Sequence, residues 1–396
     1  MSQVILDISR LISRIRYSTP SGVDRVEMAY ARGLLAHYGD DLAFAALHPA
    51  GLYGRVRRTA ALAYLDTLER RWSSQVDGPL RRSLPSILPQ LDALLPTRRG
   101  VGGGGVYVQA SPHHLTRADV VRRIMRRERA RFLCLVHDLI PIEFPEYARP
   151  AGAALHRQRI ETVATMIAET DGGAIVNSAA TGRSLQPWLR PGTPIHVALL
   201  GTEALPAAEP ERGDNRPYFV CLGTIEPRKN HLLLLHLWRQ LVQTLPAAEV
   251  PRLVIVGRRG WENEQVVDML ERCPALAGHV EELGGCPDRR LSVLLRGAAA
   301  LVMPSFAEGY GMPVAEALSV GTPVICSDLP ALREVGGAVP DYLDPLDGPG
   351  WRRAVLDHAS SGPMRAAQME RLPDWHNPSW TEHIAIVADA IGQLQL

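Results

Sequence analysis

Glu308 and Glu316 stand with seven residues between them in the stretch Ser305-Phe306-Ala307-Glu308-Gly309-Tyr310-Gly311-Met312-Pro313-Val314-Ala315-Glu316. Carboxylates accept hydrogen bonds from hydroxyls, and the backbone N–H groups at a helix start take an anion. Together they suit a ligand carrying both hydroxyls and phosphate, the chemistry of a sugar nucleotide. Composition singles out a second charged group: of 43 basic residues 42 are Arg, and Lys229 alone is Lys. A bias toward Arg explains the depletion. The surviving Lys is either a chance remnant or a compact point charge for a phosphate oxygen in a tight pocket. A third candidate is His137-Asp138, which closes the apolar run Phe132-Leu133-Cys134-Leu135-Val136.

Each group needs an element to aim it. Residues 298–303 read as a buried strand, 304–312 as a Gly-containing loop and Pro313 as the first residue of a helix, so Glu308 falls in the loop and Glu316 in the first helical turn. Lys229 lies between a strand at 218–223 and an apolar helix at 231–241, near the helix end that binds anions. His137 ends a strand at the carboxyl edge, where open α/β sheets place ligands. After a first strand at 3–8, Ser21-Gly22-Val23-Asp24-Arg25 is either a loop approaching a ligand or a turn at Gly22 with Asp24 capping a helix at 25–37.

The segment from Glu308 to Glu316, followed by Gly321-Thr322-Pro323-Val324-Ile325 and Leu332-Arg333-Glu334-Val335-Gly336, resembles the E-x7-E segment of family 4 glycosyltransferases, retaining enzymes of the GT-B fold. The resemblance is close over 216–396, looser over 1–205, and leaves 50–105 uncovered. It implies an α/β chain of two Rossmann-like domains facing across a cleft: an acceptor-binding domain at 1–205, a linker at 206–215, a nucleotide-sugar-binding domain at 216–376 and a helix at 377–396 crossing back to the N-terminal domain. It also implies roles. Glu316 would hold the ribose hydroxyls; Glu308, with the backbone of Gly309, Tyr310, Gly311 and Met312, would hold the donor sugar; Lys229 would neutralise the leaving diphosphate. Thr224 stands where the family carries an arginine, with Arg228 as the candidate substitute. His137 would face the donor sugar, Asp138 would orient its ring, and Gly22 would lie toward the acceptor. No Asp-x-Asp motif occurs, so neither metal nor cofactor is expected beyond the nucleotide-sugar co-substrate. GDP-mannose is the leading donor, from resemblance of residues 223–230 and 257–261 to mannosyltransferase segments. The implied acceptor is a glycan or polyprenyl-diphosphate-linked glycan, not nucleic acid. With retention and no carboxylate nucleophile in view, the departing phosphate oxygen itself would take the acceptor proton. A GT-B sugar-nucleotide epimerase and a catalytically degenerate binding scaffold remain the alternatives.

The net charge of +1 conceals an asymmetry: residues 1–212 hold 27 basic and 20 acidic residues, the remainder 16 and 22. A basic first half suits a phosphate-bearing acceptor or an anionic membrane surface. Residues 118–131 read as a helix with Arg122, Arg123, Arg126, Arg127 and Arg129 outward, either a solvated face or an interfacial one. Residues 50–100 suggest helices and loops, and 100–105 a flexible glycine linker. The start of the chain has no secretory pattern and no run is long enough for a membrane span, so a cytoplasmic protein, peripheral on the inner membrane face at most, is expected. Five scattered cysteines without C-x-x-C read as reduced thiols.

Overall fold

A computed structural model describes residues 3–17, 20–48, 51–73, 89, 91–97, 104–207 and 216–395. The chain divides into two compact units, Met1–Ile142 with Ala151–Gly201 and Ser379–Leu396, and Glu143–Pro150 with Thr202–Pro378. Of the linker read at 206–215, residues 208–215 lie outside the described ones, as do 100–103 of the glycine run.

The first unit is built on strands β1 (Gln3–Asp7), β2 (Leu42–Leu47), β3 (Tyr53–Arg55), β4 (Gly105–Gln109), β5 (Ala130–Val136), β6 (Gly173–Val176) and β7 (Ile195–Val197). Their order is β3-β2-β1-β4-β5-β6-β7, parallel except for β3. The near-continuous apolar runs of β1 and β5 are what a parallel sheet covered on both faces requires. Gly105 belongs to the sheet rather than to a linker: a Cβ there would sit 2.0 Å from the Gln3 carbonyl oxygen, and its φ is +142°. The basic helix is shorter than expected. It runs Ala118–Glu128, Arg129 leaves it with φ +50°, and Arg131 is already in β5.

The second unit holds β8 (Tyr218–Leu222), β9 (Arg252–Val256), β10 (Val280–Leu283), β11 (Ala300–Met303), β12 (Val324–Ser327) and β13 (Asp341–Leu343), all parallel in the order β10-β9-β8-β11-β12-β13. Its core packs the Phe219 ring edge-on against Trp238, whose indole N–H donates to the Pro251 carbonyl at 2.8 Å.

The terminal helix Trp380–Gln395 returns to the first unit and lies on helix Gly22–Tyr38. Ile384, Val387, Ile391 and Leu394 form its buried stripe, as their spacing demands. Gly33 makes the approach possible, since a Cβ on it would lie 2.4 Å from Ile384 Cγ1. His383 fixes the register: Nδ1 donates toward the Ala198 and Leu199 carbonyls at 3.1 and 3.0 Å, leaving Nε2 to accept from the Tyr30 hydroxyl at 2.8 Å. No described helix is long and apolar enough to cross a membrane.

Candidate functional site

In the second sheet the chain turns outward from its middle. β8 is followed by β9 and β10 on one side, while β11 begins the other, so β8 and β11 flank the topological switch point where parallel sheets open a ligand crevice. The loops leaving these two strands are the ones that carry the charged candidates. After β8, Gly223 takes φ +146°, a 3-10 turn covers Pro227–Lys229, and Asn230 at φ +53° starts helix His231–Thr244. After β11 the loop passes Glu308 and ends at Gly311, φ +107°, ahead of helix Met312–Ser319. Gly311 is required twice over: its φ favours glycine, and a Cβ would lie 2.4 Å from Leu332 Cδ2. Phe306 N–H donates to the Arg228 carbonyl at 2.8 Å, pinning the two loops together.

Between them the side chains form a chain of alternating charge. Lys229 Nζ donates to Glu308 Oε1 at 2.6 Å and Arg228 Nη1 to Glu308 Oε2 at 2.7 Å. Arg228 Nη1 also reaches the Ala307 carbonyl at 3.0 Å, and its Nε lies 2.5 Å from Glu226 Oε1. Lys229 is 8% exposed and the Glu308 side chain 6%. Burial alone would raise the Glu308 pKa, but Arg228 and Lys229 outweigh it and hold the carboxyl down at about 2. Burial also lowers the Lys229 pKa, against the pull of Glu308, and raises that of Glu226. Glu308 is therefore a fixed anion at neutral pH and no proton donor. The geometry presents two cations, one of them almost buried, beside an eight-residue helix N-terminus. Such a constellation can bind a diphosphate.

Residues 207–338 match the family model of glycosyl transferases group 1. Over these residues the chain is similar to that family. O-antigen chain mannosyltransferase B of Escherichia coli is 39% identical over 147 residues, 37% of this chain and 37% of that protein. The serotype-specific mannosyltransferase WbdA of Escherichia coli is 27% identical over 293 residues, 66% of this chain and 32% of that one. The chain thus spans about a third of the length of these curated relatives. Among solved structures, Anabaena HepE in complex with UDP and glucose aligns with TM-score 0.64 at 13% identity, covering 99% of this chain and 100% of that one. Sucrose-phosphate synthase from Thermosynechococcus elongatus aligns with TM-score 0.65 at 16% identity, over 100% and 99%. These likenesses carry the fold, which is GT-B.

Within this matched segment, Arg228, Lys229 and Glu308 come into direct contact. Gly309, Tyr310 and Gly311 continue the same loop, with Tyr310 buried. Met312 is the first helical residue rather than the last of the loop, which moves Glu316 to the fifth helical position, in the second turn instead of the first. Glu226 was not singled out from sequence; its adjacency to Pro227 and Arg228 was visible, its burial was not. Also missed was Tyr147, whose ring stacks on Phe306 at 5.6 Å and whose carbonyl accepts from the Trp261 indole N–H at 3.1 Å.

The other candidates lie in the first unit. His137 follows β5 directly, and its Nε2 donates to the Ala110 carbonyl at 2.9 Å. Burial lowers its pKa, so the ring is neutral with the lone pair on Nδ1. Asp138 does not orient that ring: its Oδ1 accepts from Ile140 N–H at 3.1 Å, and the Ala110 carbonyl takes the orienting part. Gly22 is not in a loop but opens helix Gly22–Tyr38, with Ser21 and Asp24 forming a capping box. Asp24 is fully buried and paired with Arg10 and Arg14 at 2.8 and 2.9 Å, which accounts for its place structurally.

Proposed function

We propose that the chain is a retaining, metal-independent hexosyltransferase that moves mannose from GDP-mannose to a glycan or lipid-linked glycan in surface polysaccharide synthesis. The observation that carries this reading is the Lys229–Glu308–Arg228 cluster at the switch point of a group 1 glycosyltransferase domain. The names of the relatives support mannose and an O-antigen glycan. In this reading the donor diphosphate lies against Lys229 and Arg228, which Glu308 holds in place before the ligand arrives. Preorganised cations need no rearrangement as charge grows on the leaving phosphate. The backbone from Gly309 to Met312 and Glu316 take the sugar and ribose hydroxyls. Glu308, ionised at working pH, accepts hydrogen bonds and supplies no proton. The departing phosphate oxygen takes the acceptor proton on the face it leaves, and His137, neutral with a free Nδ1 lone pair, accepts a hydrogen bond from a sugar hydroxyl. A lipid-linked acceptor places the reaction at the cytoplasmic membrane surface.

The test is transfer from GDP-mannose to a lipid-linked glycan in the presence of a chelator, with the anomeric configuration of the product read by NMR. An α-linked mannosyl product is expected. An inverted product, or 2-epimerised free sugar with released nucleotide and no transfer, would overturn the reading.

A further inference from the structure

The first unit has its own switch point, between β1 and β4, and a cavity of about 510 Å³ opens there. Ser9 and Arg10 after β1, His113, His114 and Arg117 after β4, and Arg159 from helix Gly152–Thr170 contribute to its wall; among the described residues no carboxylate does. Two of these groups are unusual. His114 holds φ +65°, a conformation that an L residue adopts only where its surroundings impose it. Arg117 Nη2 lies 3.0 Å from His114 Nδ1, and because a guanidinium can only donate, the imidazole hydrogen sits on Nε2. That N–H is buried with no hydrogen-bond partner among the described residues, and so is the Nε–H of Arg159. Both orphans are donors. Of the carboxylates nearby, Asp7 accepts from the Tyr107 hydroxyl at 2.5 Å and from Ser9 N–H at 2.8 Å, Asp24 is paired with Arg10 and Arg14, and Glu27 is kept protonated by burial at neutral pH.

We propose that this cavity binds a phosphate ester, the phosphoryl or diphosphoryl group of the acceptor, through Arg159, His114 and Arg117. A forked guanidinium with unused donors, backed by a second and by an imidazole N–H, matches an oxyanion with several acceptor oxygens. The volume leaves room for a sugar or alkyl residue beyond the phosphate. Naming it the acceptor's phosphate rests on the transferase reading; the pocket's affinity for phosphate does not.

The experiment uses the full chain carrying Lys229→Ala, which silences the diphosphate site of the second unit, and titrates it with inorganic phosphate and pyrophosphate by calorimetry. Pyrophosphate binding is expected to persist in this background and to weaken at least about tenfold on adding Arg159→Met. His114→Asn, whose side chain tolerates the left-handed backbone, should weaken it similarly while leaving the circular dichroism unchanged. With Lys229 intact, Arg159→Met should bind nucleotide as the parent does. Absence of phosphate and pyrophosphate binding in the Lys229→Ala protein would overturn the proposal. So would affinities within twofold of that background in both added variants. If the parent binds no nucleotide while Arg159-dependent pyrophosphate binding remains, the transferase reading fails and the phosphate site stands. Sedimentation with neutral vesicles containing or lacking a polyprenyl diphosphate assigns the source: Arg159-dependent retention marks a lipid diphosphate, and binding of soluble phosphate alone marks a free sugar phosphate.

Discussion

Glu308 gives two cations, buried Lys229 and half-buried Arg228, a common counter-charge, and its worth can be measured by removing only the charge. Glu308→Gln leaves Arg228 and Lys229 facing each other with Glu226 as the remaining partner, a cost of roughly 3–5 kcal/mol for breaking a buried pair. Denaturant unfolding at pH 7 reads it. Because the folded pKa lies near 2, below the unfolded 4.5, the stabilisation is present above about pH 4.5 and fades as pH falls toward 2; the variant should lack that fading. Glu27 has the opposite sign. It is buried in the first unit, and burial, only partly countered by a hydrogen bond from Ser111, raises its pKa to about 8. The folded protein keeps a proton that the unfolded chain gives up above pH 4.5, so stability falls between pH 4.5 and 8. Glu27→Gln should match the parent near pH 4 and exceed it at pH 8 in parallel denaturant titrations. Neither property could be read from the sequence. Spacing marked Glu308 as a ligand group and passed over Glu27, because burial and partners are tertiary facts.

Helix positions were legible to within a turn, and the errors have local causes. Pro313 marks a helix start, but Pro is tolerated at the second helical position as well as the first, so the helix begins one residue earlier at Met312. Ser21 and Asp24 formed a capping signal that moved the start of the first long helix forward to Gly22. The boundary between helix Ala118–Glu128 and β5 was hidden because Arg129, with φ +50°, is not a residue type that advertises a left-handed stop. At Gly311 the glycine was visible and its reason was not. Gly311→Ala forces a strained φ and a clash with Leu332, and should lower nucleotide affinity together with the melting temperature, by about 1–3 kcal/mol in stability. The terminal helix depends on His383. Burial lowers its pKa to about 4, so stability conferred by the neutral ring is lost as pH falls from 6.5 toward 4. His383→Leu leaves the Tyr30 hydroxyl and the Leu199 carbonyl without their partner, about 1–3 kcal/mol each. Urea unfolding at pH 7 and pH 5 should show a large loss at the first and a smaller one at the second.

Taken as a molecule, the chain joins a unit that carries the match to glycosyl transferases group 1 to one whose proposed phosphate pocket is lined mainly by Arg and His. The two-unit α/β plan and the returning terminal helix were legible, since apolar strand runs, Gly-rich turns and the Ile384-to-Leu394 stripe are local patterns. The Arg excess of residues 1–212 was visible as a sum. That Arg117 and Arg159 meet His114 at one cavity was not, because β4 and helix Gly152–Thr170 are brought together only by the sheet order. The Lys229–Glu308–Arg228 cluster is the most direct point of attack. Thermal unfolding should be followed with GDP, UDP, ADP and dTDP in a chelating buffer, on the parent and on Lys229→Ala. A nucleotide at about 100 times its dissociation constant adds about 2.7 kcal/mol. Stabilisation by GDP that disappears in Lys229→Ala, together with a hundred- to thousandfold loss of transfer rate, is the expected result. Equal stabilisation of both proteins, or no response of the parent to any nucleotide, would contradict the assignment of Lys229 and its cluster to the donor diphosphate.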